Sequence, residues 1–313
     1  MSSIETAMQL AKSDRRGFLH ALFSTCNRKG LLHWMSDRQF LRINYWLNMG
    51  VHLDLDNPKT FNEKLQWLKL YDRRPEYVTM VDKIAVKEYV SQRIGEDFII
   101  PTLGIWEKPE DIDWNSLPNQ FVIKWNHDSG SIVICRDKHV FDRDAAIRKL
   151  SYGAKVNGFW YGREWPYKGV KPLLLAEKYV EDDTDQGRND LVDYKFMCFN
   201  GEVKCCFTCT DRFTPNGLKV TFYDNDWNIM PFERNHPKEQ TPLPRPFSYN
   251  KMKMAAERLA EGLPFARIDF YEINKKPLFG EITLYPGSGY EAFQPEEWDT
   301  ILGRWIVLPN KAC

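Results

Sequence analysis

Asp269 and Glu281, two carboxylates near the C-terminus, are the residues of this chain best placed to do chemistry. Each lies in a segment that alternates apolar and polar residues with period two: Phe265-Ala266-Arg267-Ile268-Asp269-Phe270-Tyr271 and Leu278-Phe279-Gly280-Glu281-Ile282-Thr283. That alternation predicts half-buried β-strands, and the polar stretch Glu272-Ile273-Asn274-Lys275-Lys276-Pro277 between them predicts a hairpin connection. Arg267, Asp269 and Tyr271 share one face of the first strand; Phe279, Glu281 and Thr283 share one face of the second, opposite Gly280, Ile282 and Leu284. Folding the hairpin brings Asp269 beside Glu281, with Arg267 and Thr283 at the margin. Carboxylates so placed repel each other and lose hydration unless a cation sits between them. Magnesium, which takes one or two carboxylates plus substrate phosphates, is the natural candidate. The competing reading is a pair of strand carboxylates neutralised by surface lysines.

Two further stretches have chemical potential. The strand-like Gln120-Phe121-Val122-Ile123-Lys124-Trp125 leads through Asn126-His127-Asp128-Ser129-Gly130-Ser131 into Ile132-Val133-Ile134-Cys135. Such a loop can fold over a polyphosphate, with backbone N–H groups and Ser hydroxyls donating and Lys124 supplying charge, or it can be a plain hairpin. No Gly-Lys-Ser/Thr follows and no helix starts there, so it is not a Walker loop. Later, Leu173-Leu174-Leu175-Ala176 runs into Glu177-Lys178-Tyr179-Val180 and the acidic Glu181-Asp182-Asp183. A strand edge can match the donor and acceptors of adenine, and a following carboxylate suits ribose hydroxyls. Cys205, Cys206 and Cys209 have half the spacing of a zinc site, but they sit in an apolar run with no second ligand pair, which favours core packing.

The elements that must position these residues follow from periodicity. Residues 7–48 carry helical apolar spacing broken near Asn27-Arg28-Lys29-Gly30, a helical hairpin that packs on the main body more readily than on a membrane or partner. Asn57-Pro58-Lys59-Thr60 caps a helix beginning near Phe61, and a second helix is expected over about residues 79–94, ending at Gly95 and carrying Lys83 and Lys87 on one face. A strand-like segment covers 98–106, a helix 142–152, and an aromatic loop 157–167. Two strands, 193–199 and 202–207, join through the turn Asn200-Gly201; a third covers 220–224; a helix over 250–261 leads into the hairpin. At 313 residues the chain is long enough for two domains or one lobed α/β unit. Lys plus Arg equals Asp plus Glu at 43 each, which gives no bulk charge to favour nucleic acid or an anionic membrane. Eleven Trp, 14 Tyr and 19 Phe fit a large aromatic core better than carbohydrate-stacking surfaces. No signal peptide and no membrane-spanning run is apparent, and seven Cys without a secretion signal point to reduced thiols, so a cytoplasmic setting is expected, with peripheral contact with membrane machinery left open.

Taken in order, Asp82-Lys83, Lys124 with Ser129-Gly130-Ser131, Glu177-Lys178-Tyr179-Val180, Asp193-Tyr194-Lys195, Arg267-Ile268-Asp269 and Glu281-Ile282-Thr283 resemble the ATP-grasp superfamily. More narrowly, Thr60-Phe61-Asn62-Glu63-Lys64-Leu65-Gln66-Trp67-Leu68-Lys69-Leu70-Tyr71-Asp72, Gly162-Arg163-Glu164-Trp165-Pro166-Tyr167 and Pro264 to Tyr271 resemble its TupA-like (teichuronopeptide-biosynthesis) branch. The resemblance runs over roughly residues 55–295. It implies an α+β fold in which two α+β lobes clamp ATP: an N-terminal helical, pre-grasp region at 1–115, a small lobe at 116–180 and a large lobe at 181–313 carrying the metal.

The resemblance also implies roles. Lys83 and Lys124 contact ATP phosphates, with Ser129, Gly130 and Ser131 closing over them. Glu177 meets the adenine amino group, Lys178 and Val180 line the adenine slot, and Asp183 holds ribose. Lys195 reaches the transferred phosphate, Asp269 and Glu281 bind Mg2+, and Arg267 stabilises an acyl phosphate and the tetrahedral state after it. Many members place Asn two residues after the metal-binding Glu; here that position is Thr283, whose hydroxyl can still ligate magnesium. The implied activity is an ATP-dependent carboxylate–amine ligase releasing ADP. Its partners are small molecules, an amine and a uronic-acid-containing saccharide of a bacterial surface polysaccharide or its precursor, with no nucleic acid. A kinase or ester-forming enzyme on the same site, a glycosyltransferase and a non-catalytic carbohydrate-binding module are the alternatives.

Overall fold

The computed structural model describes residues 14–128, 130–154, 157–181, 191–211 and 217–311. The N-terminal segment forms α1 (Arg15–Arg28) and α2 (Asp37–Met49), capped by the side chains of Asp14 and Ser36. The next helix, α3 (Phe61–Tyr71), begins at Thr60 with a capping box, in which Thr60 and Glu63 each satisfy the other's backbone N–H. The helix expected over 79–94 is two helices, α4 (Glu76–Val81) and α5 (Ala85–Ile94). The break has a local cause and a tertiary one. Asp82 Oδ1 takes the backbone N–H groups of Ile84 and Ala85, while the Lys83 N–H is drawn to the Asn126 carbonyl, 3.2 Å away. Residues 157–167 are not simply a loop either: Asn157 caps the short α7 (Gly158–Gly162), and a 3-10 turn follows at Trp165–Lys168. Between these lies α6 (Arg143–Gly153).

Two antiparallel sheets carry the rest. The first has order β1-β4-β2-β3, from β1 (Thr102–Trp106), β2 (Phe121–Trp125), β3 (Val133–Cys135) and β4 (Leu174–Lys178). Its core is formed by Phe121, Ile123, Trp125, Val133, Leu150 and Leu174. β1 falls inside the segment read as N-terminal region but belongs to this sheet, because it pairs along β4 from Thr102↔Glu177 to Trp106↔Leu174.

The second sheet has order β10-β9-β5-β6-β7, from β5 (Asp193–Phe199), β6 (Glu202–Thr210), β7 (Lys219–Tyr223), β9 (Phe265–Ile273) and β10 (Lys276–Thr283). Asn200 and Gly201, both at positive φ (52° and 86°), make the tight turn expected between β5 and β6. The β9–β10 connection is also only two residues, Asn274 and Lys275 at φ 51° and 64°, so the strands extend further than the polar stretch indicated. One face of this sheet packs on α8 (Tyr249–Leu259), whose Met252, Ala256 and Leu259 are fully buried. α3 joins the same core through Phe61, whose ring meets those of Phe199, Phe265 and Phe293. Cys205 and Cys206 are fully buried in it, as the apolar run around them predicts. A small ribbon, β8 (Glu233–Arg234) with β11 (Phe293–Gln294), and the C-terminal α9 (Glu297–Trp305) complete the structure. No helix among the described residues is long and apolar enough to cross a membrane.

The hairpin departs from strict alternation at one residue. Phe279 pairs with Phe270, but the next pair is Glu281↔Asp269, so Gly280 is a bulge. Without it Glu281 would oppose Ile268 and face the core; with it, Glu281 and Thr283 join Asp269 and Arg267 on the face turned away from α8 while Phe279 turns to Phe270. Phe279 and Glu281 therefore do not share a face as the period-two reading had it. A Cβ on Gly280 would sit 3.1 Å from the Asp269 carbonyl oxygen. Gly280→Val should therefore destabilise the fold by about 1–3 kcal/mol, the usual cost of overpacking, read as a lower urea midpoint with an unchanged slope.

Candidate active site

The face of the five-stranded sheet turned away from α8 carries one residue per strand in direct register: Glu281, Asp269, Lys195, Phe207 and Phe222. Directly opposed residues in an antiparallel sheet project to the same side, so this row is a single surface, charged at one end and aromatic at the other. Asp269, only 2% exposed, accepts from Arg267 Nε at Oδ1 and Nη2 at Oδ2, each at 2.7 Å, and is ion-paired with Lys195. Arg267 Nη2 also donates to Glu281 Oε1 at 2.8 Å, and the Thr283 hydroxyl donates to the same oxygen at 3.0 Å. Asp193, a strand neighbour of Lys195, has its carboxylate 3.6 Å from the ammonium.

Burial alone would raise the Glu281 pKa, but Arg267, then Lys83 and Lys195, outweigh it and hold the carboxyl at about 2. Burial likewise disfavours the Lys195 ammonium, and Asp269 more than restores it. The cation between the carboxylates in this structure is thus Arg267, supported by Lys195, and not a surface lysine.

Across from this row, the four-stranded sheet and the α4–α5 break present three lysines around one carboxylate. Glu177 on β4 is clasped by Lys87 through Oε1 and Lys124 through Oε2, each at 2.6 Å. Those two lysines hold its pKa below the ordinary value although burial pushes it up. Lys83 donates to the Asp128 carbonyl at 2.6 Å, and burial lowers its pKa, with Glu281 the main opposing influence. Lys83, Lys87, Lys124 and Glu177, with Ile99, Ile100, Phe279 and Gly280, line a narrow cleft. Its walls come from both sheets, and its three cations exceed its one carboxylate, which favours a polyanionic ligand with an apolar portion.

With that geometry in place, the comparisons are decisive on one point: the TupA-like ATPgrasp family matches residues 63–307, most of the chain. The chain belongs to the TupA-like ATP-grasp family. No curated protein matches it. Solved structures similar to it include the D-alanine–D-alanine ligase from Bacillus anthracis complexed with ATP (16% identity, TM-score 0.39, covering 66% of this chain and 55% of that one). The D-alanine–D-alanine ligase from Helicobacter pylori gives 14% identity and a TM-score of 0.44 over 82% of this chain and 68% of that one. The RimK domain ATP-grasp protein from Sphaerobacter thermophilus gives 11% and 0.42 over 76% and 72%. The chain spans little more than half the length of the first of these.

For this ATP-grasp chain the expected site residues fall into three groups. Lys83, Lys124 and Glu177 meet at the cleft, and Lys195, Arg267, Asp269, Glu281 and Thr283 meet on the sheet face. The remainder lie at its margins or away from it. Lys178 is exposed on β4, its N–H bonded to Pro101 O; Val180 is half-buried just beyond the strand; Gly130 is exposed. Ser131 is buried, its hydroxyl packed towards Gly153 and Trp125 inside the lobe. Ser129 and Asp183 lie outside the described residues. Lys87 and Asp193 are additions. Lys87 reads in sequence as one of two lysines on a solvated helix face, and only the absence of an acidic i+4 partner hints otherwise.

The oxygen donors Asp269, Glu281 and Thr283 fit magnesium. They are hard ligands on adjacent strands, Glu281 Oε2 accepts no hydrogen bond among the described residues, and two carboxylates leave positions for phosphate oxygens. Two outcomes are expected. Arg267→Met should destabilise the nucleotide-free protein by about 3 kcal/mol, since it strips a buried carboxylate of its main partner, and millimolar Mg2+ should recover more of the melting temperature in the variant than in wild type. Glu281 has a depressed pKa, so the stability it contributes is fully present above pH 4.5 and is lost as pH falls towards 2; Glu281→Gln should flatten that acid limb in a stability–pH profile.

Proposed function

We propose that this chain is an ATP-dependent carboxylate–amine ligase that forms an amide through an acyl phosphate and releases ADP. The observation that carries the reading is the register Glu281–Asp269–Lys195, clasped by Arg267 and facing a lysine-lined cleft. A carboxylate is a poor electrophile because its leaving group would be oxide. Transfer of the γ-phosphoryl group of ATP to a carboxylate oxygen, with ADP departing, replaces that leaving group with phosphate. An amine nitrogen then attacks the carbonyl carbon, the C–O bond to phosphate breaks, and the nitrogen loses a proton. Magnesium held by Asp269, Glu281 and Thr283 would supply charge neutralisation for the phosphates.

The chain's own residues have distinct tasks in this scheme. Lys83 and Lys124 neutralise phosphate oxygens, and Lys87 keeps Glu177 ionised and in place beside the adenine. Lys195 reaches the transferring group. Arg267 turns from the two carboxylates towards the charge that develops on the acyl group. TupA-like resemblance supports a uronic acid of a bacterial surface polysaccharide or its precursor as the acid, and an amino acid or other amine as nucleophile. ATP as donor fits a cytoplasmic reaction.

The test is ADP release by the purified full chain with Mg·ATP against panels of uronic acids and amines. Release should require both partners, and Asp269→Asn and Glu281→Gln should abolish it while leaving the circular dichroism spectrum unchanged. AMP as product, or near wild-type turnover in both variants, would sink the reading.

A further inference from the structure

Arg234 is buried to 5% exposure on β8, more than thirty residues along the chain from Lys195 and from Arg267, yet it lies over the aromatic end of the same row. Its guanidinium carbon is 4.5 Å from the centre of the Phe207 ring and 5.2 Å from that of Phe222. Arg267 approaches the same Phe207 ring at 5.9 Å. Two guanidinium groups therefore flank one phenyl ring, one engaged with the carboxylates and the other not.

The engagement of Arg234 is incomplete. Its Nε and Nη1 are buried and make no hydrogen bond among the described residues. Its anionic neighbour is Glu291, whose Oε2 lies 3.3 Å from Nε without hydrogen-bonding geometry. Most buried donors are satisfied, because an unmet N–H in a low-dielectric site is costly; Arg163 leaves Nε alone unmet, whereas Arg234 leaves both Nε and Nη1. Glu291 reaches solvent. Its side chain is 23% exposed and rests over Gly287, where a Cβ would come within 2.2 Å of its carboxylate carbon, in a turn where residues 287–289 all have positive φ.

We propose that Arg234 recognises the carboxylate of the acid substrate, and that Glu291 is a displaceable stand-in that occupies its place when no substrate is bound. An entering carboxylate takes the position of the Glu291 carboxylate and satisfies Arg234 at the aromatic end of the row. Glu291 is released towards solvent. This rests on the ligase reading for the identity of the anion as the acid substrate. Arg234 acts here in binding and positioning.

The experiment is calorimetric titration of the full chain. AMPPNP with Mg2+ is titrated first, then D-glucuronate and D-galacturonate as probes, with D-glucose as the neutral control. Wild type saturated with the nucleotide should bind at least one uronate and not glucose. Arg234→Met should weaken the uronate at least tenfold while the AMPPNP Kd stays within twofold. Glu291→Gln should tighten the uronate about threefold or more, because the competing charge is gone. A purely structural ion pair gives no such gain, so this variant decides the matter even if Arg234→Met fails to fold.

Uronate binding unchanged in Arg234→Met, uronate weakened by Glu291→Gln, or nucleotide binding without any uronate binding would each overturn the proposal. Uronate binding that depends on Arg234 in a protein that does not bind AMPPNP would uphold Arg234 as a carboxylate site and sink the ligase reading instead.

Discussion

The site depends on one guanidinium held between two carboxylates on neighbouring strands. Like charges about 4 Å apart interact by about 4 kcal/mol at the effective dielectric of a protein surface, a large share of a domain's net stability. Asp269 and Glu281 could not share a sheet face at that cost without a cation. Arg267 suits the position because its planar group presents several donors at fixed angles and reaches both carboxylates at once. A lysine there would offer a single point of charge, and Lys195 already supplies that to Asp269 from the other side.

Local features that look like irregularities follow from this constraint. The bulge at Gly280 exists where a regular ladder would have sent Glu281 into the core against Ile268. The α4–α5 break is where the Lys83 N–H is drawn to Asn126 and its side chain lines the cleft. In both places a backbone rule is broken and a charged side chain is delivered, which is how functional sites commonly depart from local preference. The aromatic core compensates: with Phe196, Ile268 and Phe270 fully buried on the far face of the sheet, the charged row rests on a rigid support.

Much of this was legible in the sequence, for identifiable reasons. Period-two alternation on both sides of a polar connector was enough to put Asp269 and Glu281 on neighbouring strands, but the bulge at Gly280 is what sets one opposite the other. The same rule misassigned Phe279, since alternation assumes no extra residue; the glycine within the strand was the available clue. The helix break at Asp82 could not be read from periodicity, because half its cause is Asn126, more than forty residues away. The run at 157–167 looked like a loop because glycines and a proline interrupt it, while Asn157 and the left-handed Arg163 were enough to bound a short helix. Arg234 gave no signal at all. Its surroundings are assembled from β6, β7 and the turn after β10, and nothing in Phe232-Glu233-Arg234-Asn235 marks an arginine that will be buried over two phenyl rings.

The charged groups around the site share one arrangement. Glu177 stands between Lys87 and Lys124, Asp269 and Glu281 hold Arg267 and Lys195, and Glu291 stands by Arg234. Apart from Lys83, which donates to the Asp128 carbonyl, each of these cations already has an internal counter-ion. Ligand binding to such a site is therefore largely an exchange of partners, even where, as in the lysine cleft, cations outnumber carboxylates. Exchange lowers the affinity available from raw charge, since each new contact replaces an old one. In return it spares the ligand-free protein the repulsion of clustered lysines and arginines, and it makes occupancy sensitive to geometry. A ligand gains only where its oxygens meet the donors better than the resident carboxylate does. Arg234 has the poorest resident partner of the three sets, so the gain from replacement is largest there, and selection among acids would concentrate at that end of the row.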